Sequence, residues 1–428
     1  MSDRWVVLGL APARSEWFRR LASWATAGTL PIELLRCQSV PELRARRAST
    51  RPVSAALIDA TVPGLDRDLL DNGPDGCPVL VIDAVGSRRW IELGAAGVLA
   101  PDLDPMALLD ALAAVAHPVG DALDVPGELG PSRTTVLSGR LVAVCGAGGS
   151  GASTAALALG QGLGHGHGGT WLPGPVVVAD LCRRGDLAML HDIRDLLVGV
   201  QELVDAHRAT RPDPVQVRSM CVPVNARAYD LLLGLRQPRA WTALRPRAVT
   251  AAIEGLRVAY ATVVADIEPE VEGEAETGSA DVEERHALAR TALLRADLVL
   301  TVGSPGVHGI HALVRTVREI VDGGVDPRRV LPVVNRGPRG AGAKAEITAA
   351  VAGLCSTDAG SPAPVLFLPT RRVEESLLAG APLPGALAAA LAHAAAAVVA
   401  RMPQVDLADT DTPRPVRPGS LGTVEETW

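Results

Sequence analysis

Short apolar segments of five to eight residues alternate along this chain with stretches whose apolar residues recur at helical spacing. The apolar segments predict strands, and they include "RWVVLGL", "VSAALIDA", "CPVLVIDA", "GRLVAVCG", "GPVVVADL" and "YATVVADI". Strands that are apolar throughout belong to sheets covered on both faces, which are parallel sheets linked by crossover helices. The alternation therefore predicts an α/β protein with doubly wound parallel sheets.

The alternation divides into two blocks, and we expect one domain from each. Residues 1–118 carry five strand–helix units and predict a flavodoxin-type front domain. Residues 119–138 are rich in Gly, Pro and Ser and predict a linker. Residues 139–402 predict a larger rear domain with seven strands, and the polar residues 403–428 predict a disordered tail.

Composition restricts the possible locations and partners of the chain. The net charge of −7 argues against direct nucleic-acid binding, which needs clustered cations. The N-terminus does not have a signal-peptide pattern, and the six cysteines include no CxxC pair, so we expect a cytoplasmic protein with reduced thiols. The longest apolar run, residues 385–402, is Ala-rich and predicts a packed helix. The tail cannot form an amphipathic membrane helix, so we expect no intrinsic membrane anchor.

The stretch "VAVCGAGGSGASTAALALG", residues 142–160, runs from an apolar strand through glycines into a helix of small residues. Glycines allow backbone N–H groups to approach a phosphate without a Cβ in the way. The positive end of the following helix would then face the anion. The alternative is a tight turn that only packs a strand on a helix.

"GAGGSGAST", residues 146–154, resembles the deviant Walker A loop of the MinD/ParA ATPases, G-K-G-G-x-G-K-[ST]-[ST]. The resemblance implies a P-loop NTPase fold for the rear domain, with ATP and Mg²⁺ as ligands. It also implies that Ser153 ligates Mg²⁺. The implied cofactor-binding residues of the loop are Gly146, Gly148, Gly149, Ser150, Gly151, Ala152, Ser153 and Thr154.

Two residues depart from this pattern. Ala147 stands where the family has the lysine that crosses to a partner's nucleotide, and Ala152 stands where it has the P-loop lysine. Lys344 is the only lysine in the sequence, so no other lysine can substitute. Losing a charged hydrogen-bond partner costs about 1.5–3 kcal/mol of binding. We therefore expect ATP and Mg²⁺ binding to be weak or vestigial.

Three further residues extend the resemblance. Asp180 ends "VVVAD" and Asp266 ends "VVAD", where the family has catalytic aspartates that act on water and Mg²⁺; Asp266 would also serve as a metal residue. Asn335 in "VLPVVNRGPR" occupies the position of an adenine-reading asparagine. Taken singly, each aspartate could be a strand-end cap. The segment "GDLAML" after Asp180 resembles the corresponding sequence of the CpaE/TadZ pilus-assembly branch of the group.

Three charged or polar segments invite other interpretations. Arg183 and Arg184 could bring positive charge to a phosphate, or they could be a solvent-facing pair. Residues 266–284 hold nine acids and no base, which predicts a solvated mobile loop or a partner-docking surface. "GHGHGG" predicts a flexible loop, since two histidines alone do not complete a metal site.

The front domain resembles a response-regulator receiver domain, with Asp59 of "ALIDATVPG" at the phosphoacceptor position. A phosphorylatable receiver needs acids after its first strand to hold Mg²⁺, and here that place reads "LGLAPA". Asp83 stands near the position of the strand-four hydroxyl, and no lysine follows the fifth strand. We therefore expect Asp59 to be a structural strand-end residue. CpaE/TadZ proteins and actinobacterial septum-site-determining (Ssd-like) proteins share this domain order.

These resemblances imply a positioning or assembly protein with a degenerate ATP site. Its expected partners are proteins of a pilus, secretion or division apparatus, it could form a homodimer, and a partner would recruit it to the inner face of the membrane. Two alternatives remain open. One is an active ATPase switch that uses residues other than lysine, and the other is an output protein controlled by phosphorylation of Asp59.

Overall fold

The computed structural model describes residues 4–12, 14–48, 51–71, 76–87, 89–119, 138–194 and 198–402. The predicted linker, apart from its ends, and the predicted tail lie outside these ranges. Within them, the chain forms two sheets, one of five strands and one of eight. The predicted class, α/β with two doubly wound parallel-sheet domains, is confirmed.

The front domain has a five-stranded parallel sheet in the order β2-β1-β3-β4-β5. All five predicted strands form, and the helix of the third unit is the short α3, a segment without helical spacing in the sequence. Its strands are β1 (Trp5–Leu10), β2 (Ile32–Cys37), β3 (Ala55–Asp59), β4 (Val79–Ile82) and β5 (Gly97–Leu99), and its helices are α1 (Glu16–Thr26), α2 (Val40–Arg47), α3 (Arg67–Leu70), α4 (Arg89–Glu92) and α5 (Pro105–Val115).

Apolar side chains cover both faces of this front sheet. On one face, Val7 and Leu57 pack with α1 and α5, and on the other, Leu8 and Ile58 pack with α2 and α3. Successive strand residues point to opposite faces, so a sheet covered on both sides needs the uninterrupted apolar segments seen in the sequence.

The rear domain has an eight-stranded sheet in the order β13-β12-β11-β6-β10-β7-β9-β8. Seven strands were predicted; the eighth, β8, is a short edge strand that runs antiparallel to β9. The strands are β6 (Arg140–Gly146), β7 (Val176–Asp180), β8 (Val222–Val224), β9 (Tyr229–Leu232), β10 (Thr262–Asp266), β11 (Leu298–Gly303), β12 (Val330–Val334) and β13 (Leu366–Phe367).

Helices cover both faces of the rear sheet. α6 and α16 pack on one face, and α9, α12 and α13 pack on the other. The helices are α6 (Ala152–Gly164), α7 (Val200–Ala209), α8 (Pro214–Ser219), α9 (Pro246–Ala259), α10 (Glu274–Thr277), α11 (Ala280–Arg285), α12 (Ala287–Arg295), α13 (Val307–Asp322), α14 (Ala341–Cys355), α15 (Glu374–Leu378) and α16 (Gly385–Arg401).

The long Ala-rich run forms α16, which packs against α6 in the core as predicted. None of the helices in the described ranges is both long and apolar enough to span a bilayer. All six cysteines are free thiols, in agreement with the expectation of reduced cysteines.

Candidate nucleotide site

The glycine-rich loop connects β6 to α6, at the carboxyl edge of the rear sheet where the sequence placed it. Gly149 has a φ of 75° and Gly151 a φ of 94°, in the left-handed region that favours glycine. A Cβ on Gly151 would also lie 2.4 Å from Asn335 Nδ2, and one on Gly146 would lie 2.2 Å from the carbonyl oxygen of Val302. Three of the four glycines are therefore required by the loop's own geometry.

Gly148 differs from these three. It is exposed, no atom lies within 4 Å of the place its Cβ would take, and its φ is outside the left-handed region. Internal packing does not require glycine there. Ser150 is 3% exposed, and its hydroxyl has no hydrogen-bond partner in the described part of the chain. The loop thus keeps an open outer surface and one unsatisfied buried hydroxyl.

Asn335, directly after β12, forms a hydrogen bond with this loop. Its Nδ2 donates to the Ser150 carbonyl at 2.9 Å, and its Oδ1 accepts from the Arg336 backbone N–H at 2.9 Å. Both ends of the amide are thus engaged by the protein. The base-reading role predicted for Asn335 stays a prediction, whereas its structural role in the loop was not foreseen.

A cation also reaches the loop from this side. Arg336 has a φ of 56°, and its Nη2 donates to the Gly149 carbonyl at 2.6 Å. The side chain is exposed, so it contacts the outer surface of the loop instead of emerging from within it. Sequence reasoning missed Arg336; the signal was its position next to Asn335.

Asp180 and Asp266 end neighbouring strands and lie in direct register across the β7–β10 pair. They are 1% and 2% exposed, respectively. Burial raises the pKa of Asp266 to about 7, although a hydrogen bond from Ser153 favours its charged form and the Asp180 charge opposes it. The structure therefore brings together the three residues to which the sequence assigned metal and catalytic roles.

The surroundings of Asp180 enclose its carboxylate. Burial raises its pKa to about 7, while the backbone N–H groups of Leu187 and Cys182 donate to it at 3.2 and 3.3 Å. A Cβ on Gly185 would lie 2.0 Å from both carboxylate oxygens, and one on Gly234 would lie 2.8 Å from Asp180 Cγ. Asp180 organises the segment that follows β7, and that segment separates it from solvent.

The oxygen groups of the site suit Mg²⁺, and the backbone of the loop suits the phosphates of ATP. The Ser153 hydroxyl and the Asp266 carboxylate are neighbouring oxygen groups, and Mg²⁺ typically uses one or two carboxylates together with substrate phosphates. The loop backbone and the N-terminus of α6 fit phosphate oxygens. The half-buried Ala147 and Ala152 supply no charge to them.

The two arginines after β7 have different surroundings. Arg183 Nε donates to Glu268 at 2.7 Å, and both side chains are about one-fifth exposed. Arg184 is exposed. Arg184 thus matches the solvent-facing alternative, whereas Arg183 is largely covered and ion-paired.

The acidic segment 266–284 contains two short helices that were not predicted. The expectation of a loop is wrong for residues 274–277 and 280–284, because they lie in α10 and α11. Arg290 pairs with Glu276 at 3.5 Å and Arg245 with Glu284 at 3.8 Å, so part of the acidic charge is compensated by arginines of flanking elements.

In the front domain, the Asp59 carboxylate is saturated by neutral donors. It accepts hydrogen bonds from Trp17 Nε1 at 2.7 Å, from Thr61 Oγ1 at 2.6 Å and N at 3.0 Å, and from Ser15 Oγ at 3.3 Å. Burial alone would raise the pKa of Asp59, but these hydrogen bonds outweigh it and hold the pKa below its usual value. Asp83 likewise accepts from Trp90 Nε1 at 2.8 Å. This geometry suits the structural role predicted for Asp59.

Known proteins resemble this chain in structure but not detectably in sequence. No protein-family profile and no curated protein sequence matches it. It is similar in structure to a ParA family ATPase from Chlorobium tepidum TLS, with 17% identity over 61% of this chain and 99% of that chain and a TM-score of 0.45.

Two other solved structures are similar over nearly the same share of the chain. One is the septum site-determining protein MinD complexed with Mg-ADP from Pyrococcus horikoshii OT3, at 17% identity over 59% of this chain and 94% of that chain, with a TM-score of 0.42. The other is a putative plasmid partition protein from Borrelia burgdorferi B31 bound to AMPPNP, at 13% identity over 61% and 97%, with a TM-score of 0.42.

Proposed function

We propose that this chain is a MinD/ParA-like positioning or assembly scaffold whose ATP site is degenerate. One observation supports this above all. The loop has Gly149 and Gly151 at positive φ and leads directly into α6, as suits a phosphate-binding loop, yet alanine stands at positions 147 and 152. These features support a loop backbone that suits a phosphate but lacks the charge of the two lysines.

Two arginines considered above are already engaged elsewhere. Arg183 is paired with Glu268, and Arg336 already donates to a loop carbonyl on the exposed side. In the proposed function, ATP–Mg²⁺ therefore binds with millimolar affinity or less, and hydrolysis is negligible. Removing one transition-state donor typically costs on the order of a hundredfold or more in rate.

A scaffold of this kind acts through protein contacts. The proposed partners belong to a pilus, secretion or division apparatus, in line with the CpaE/TadZ and Ssd-like resemblance. The protein would work in the cytoplasm and reach the membrane through a partner.

Calorimetry with ATP and Mg²⁺ tests the proposal by comparing the unaltered chain with the variant Ala152→Lys. A lysine at 152 restores the missing charge-assisted hydrogen bonds, which are worth about 1.5–3 kcal/mol, or roughly 10- to 100-fold in affinity. Ala345→Lys is the matched control, because it adds the same charge at an exposed position of α14. We expect binding to appear or tighten only in Ala152→Lys.

Two results would contradict the degenerate site. Low-micromolar affinity of the unaltered chain would show that the loop binds ATP without lysine. ATP turnover that disappears in Asp266→Ala would favour the alternative, an active switch using other residues.

A further inference from the structure

The short helix α3 of the front domain contacts α7 and α9 of the rear domain. Its two leucines, Leu69 and Leu70, are fully buried in the front domain's own core. The two charged residues at its start, Arg67 and Asp68, instead contact the rear domain. One turn of helix thus serves as a core element of one domain and as a contact with the other.

Asp68 lies at the N-terminus of α9. The residue before this helix, Arg245, makes no side-chain cap, and the first helical residue, Pro246, has no N–H. Asp68 Oδ1 accepts from the Arg247 backbone N–H at 3.1 Å. The first N–H groups of a helix lack partners within the helix, and a carboxylate there is favoured by the helix dipole. The front domain therefore supplies the cap that α9 lacks locally.

Two arginines of the front domain contact the C-terminal end of α7. α7 ends at Ala209, and the last carbonyls of a helix lack internal donors. Arg67 Nε donates to the His207 carbonyl at 2.9 Å, and Arg89 Nη2 donates to the Ala209 carbonyl at 3.2 Å. Arg67 Nη2 also lies 3.4 Å from the Thr210 carbonyl. Positive charge at a helix C-terminus is favourable for the same dipolar reason.

Arg247 of the rear domain donates hydrogen bonds to the C-terminal end of α3 in the front domain. Its Nη1 donates to the Asp68 carbonyl at 3.0 Å and also to the Asp71 carbonyl, at the end of α3. Three helix ends thus meet charges of the favourable sign across the domain boundary. Arg67 and Asp68 are half-buried, and ionic groups removed from water in this way are costly unless the matching partners are in place.

We propose that the ends of α7 and α9, defined by His207, Ala209, Thr210 and Arg247, form a docking surface whose partner is the front domain of the same chain. Docking holds the two domains in one orientation as a single cooperative unit. The front domain, with its Asp59 carboxylate already saturated by neutral donors, is then a fixed structural partner of the rear domain. This inference is independent of whether the loop binds nucleotide.

Hydrogen exchange of the full chain tests the docking surface. Asp68→Ala removes the cap, and we expect the Arg247 amide to exchange about fivefold faster or more, the size of a lost N-cap. Asp68→Asn should keep protection, because a single oxygen of Asp68 accepts a bond while Oδ2 has no hydrogen-bond partner in the described residues. Asp110→Ala, at an exposed position of α5, is the matched control.

The double variant Arg67→Ala/Asp68→Ala provides a second measurement. We expect a larger radius of gyration by small-angle scattering and separate unfolding of the two domains, with an unchanged far-UV circular dichroism spectrum. Exchange and scattering identical to the unaltered chain would overturn the proposal. Cross-links between two differently isotope-labelled chains at this surface would also overturn it, because they would show that another copy supplies the front domain.

Discussion

The substitution Gly151→Ala tests whether the glycine loop is built as described. Alanine at a φ of 94° adopts a left-handed conformation, which costs roughly 1–2 kcal/mol. Its Cβ would also lie 2.4 Å from Asn335 Nδ2, so the amide must move and lose its bond to the Ser150 carbonyl, at about 0.5–1.5 kcal/mol. We expect a total loss of about 2–3 kcal/mol.

Gly148→Ala is the matched control within the same loop. No atom lies within 4 Å of its Cβ position, and its φ suits any residue, so we expect a change of less than about 1 kcal/mol. The double variant Gly151→Ala/Asn335→Ala removes the contact but not the strained φ. Relative to Asn335→Ala alone, Gly151→Ala should then cost roughly 1–2 kcal/mol.

The assay is urea unfolding of the full chain, followed by hydrogen exchange in peptides from β6 and α6. Exchange localises the effect to the loop's flanking elements, which the unfolding of the whole chain does not do. Equal stability of Gly151→Ala and Gly148→Ala would refute the reasoning. So would a Gly151→Ala cost that is unaffected by removal of the Asn335 side chain.

Three other properties of the molecule can be tested. First, His191 Nε2 lies 3.1 Å from Arg227 Nη1, and burial together with the Arg227 charge lowers the pKa of His191. Below pH ~6.5 the unfolded chain therefore binds a proton at His191 that the folded chain does not bind. The free energy of unfolding of the unaltered protein should then fall relative to that of His191→Gln between pH 7.5 and 5, by at most about 1.4 kcal/mol per pH unit. A constant difference in urea midpoints would contradict this. Second, acetyl phosphate with Mg²⁺ should not modify the front domain, since neutral donors occupy the Asp59 carboxylate; an acid-labile phosphate that intact-mass measurement finds and Asp59→Asn removes would disprove it. Third, light scattering should give the same oligomeric state with and without ATP, and the same state for Asp180→Ala, because no lysine at position 147 can cross to a partner's nucleotide; dimers that form only with ATP would restore the switch alternative.

The elements that sequence reasoning missed are short and weakly patterned. β8 has three residues with a proline at its centre, and it pairs only with the edge of the sheet. α3 is a single turn of four residues, too short to show helical periodicity. The helices of the acidic segment were missed because its charge predicts solvation, whereas Arg290 and Arg245 hold it from flanking elements.

In the candidate site too, some residues could be placed from the sequence and others could not. Asp180, Asp266 and the glycines could be placed from sequence, because strand ends of a parallel sheet meet at one edge. The engagement of Asn335 with the loop could not, since 185 residues separate it from Ser150. The contact of Arg336 with Gly149 is equally remote in sequence.

By itself, the amino-acid sequence determined the α/β class, the strand-forming segments of the two sheets other than β8, and the absence of both loop lysines. These properties depend on local patterns: apolar runs, helical spacing and the identity of single residues. Only the tertiary structure decided which groups satisfy the buried carboxylates and the helix ends. Asp180 is enclosed by Gly185 and Gly234, Asp59 by Trp17, and α9 is capped by Asp68 from 179 residues away. The physical reason is that hydrogen bonds and charges act over a few ångströms of space, and a local pattern carries no information about which distant residues the fold brings within that range.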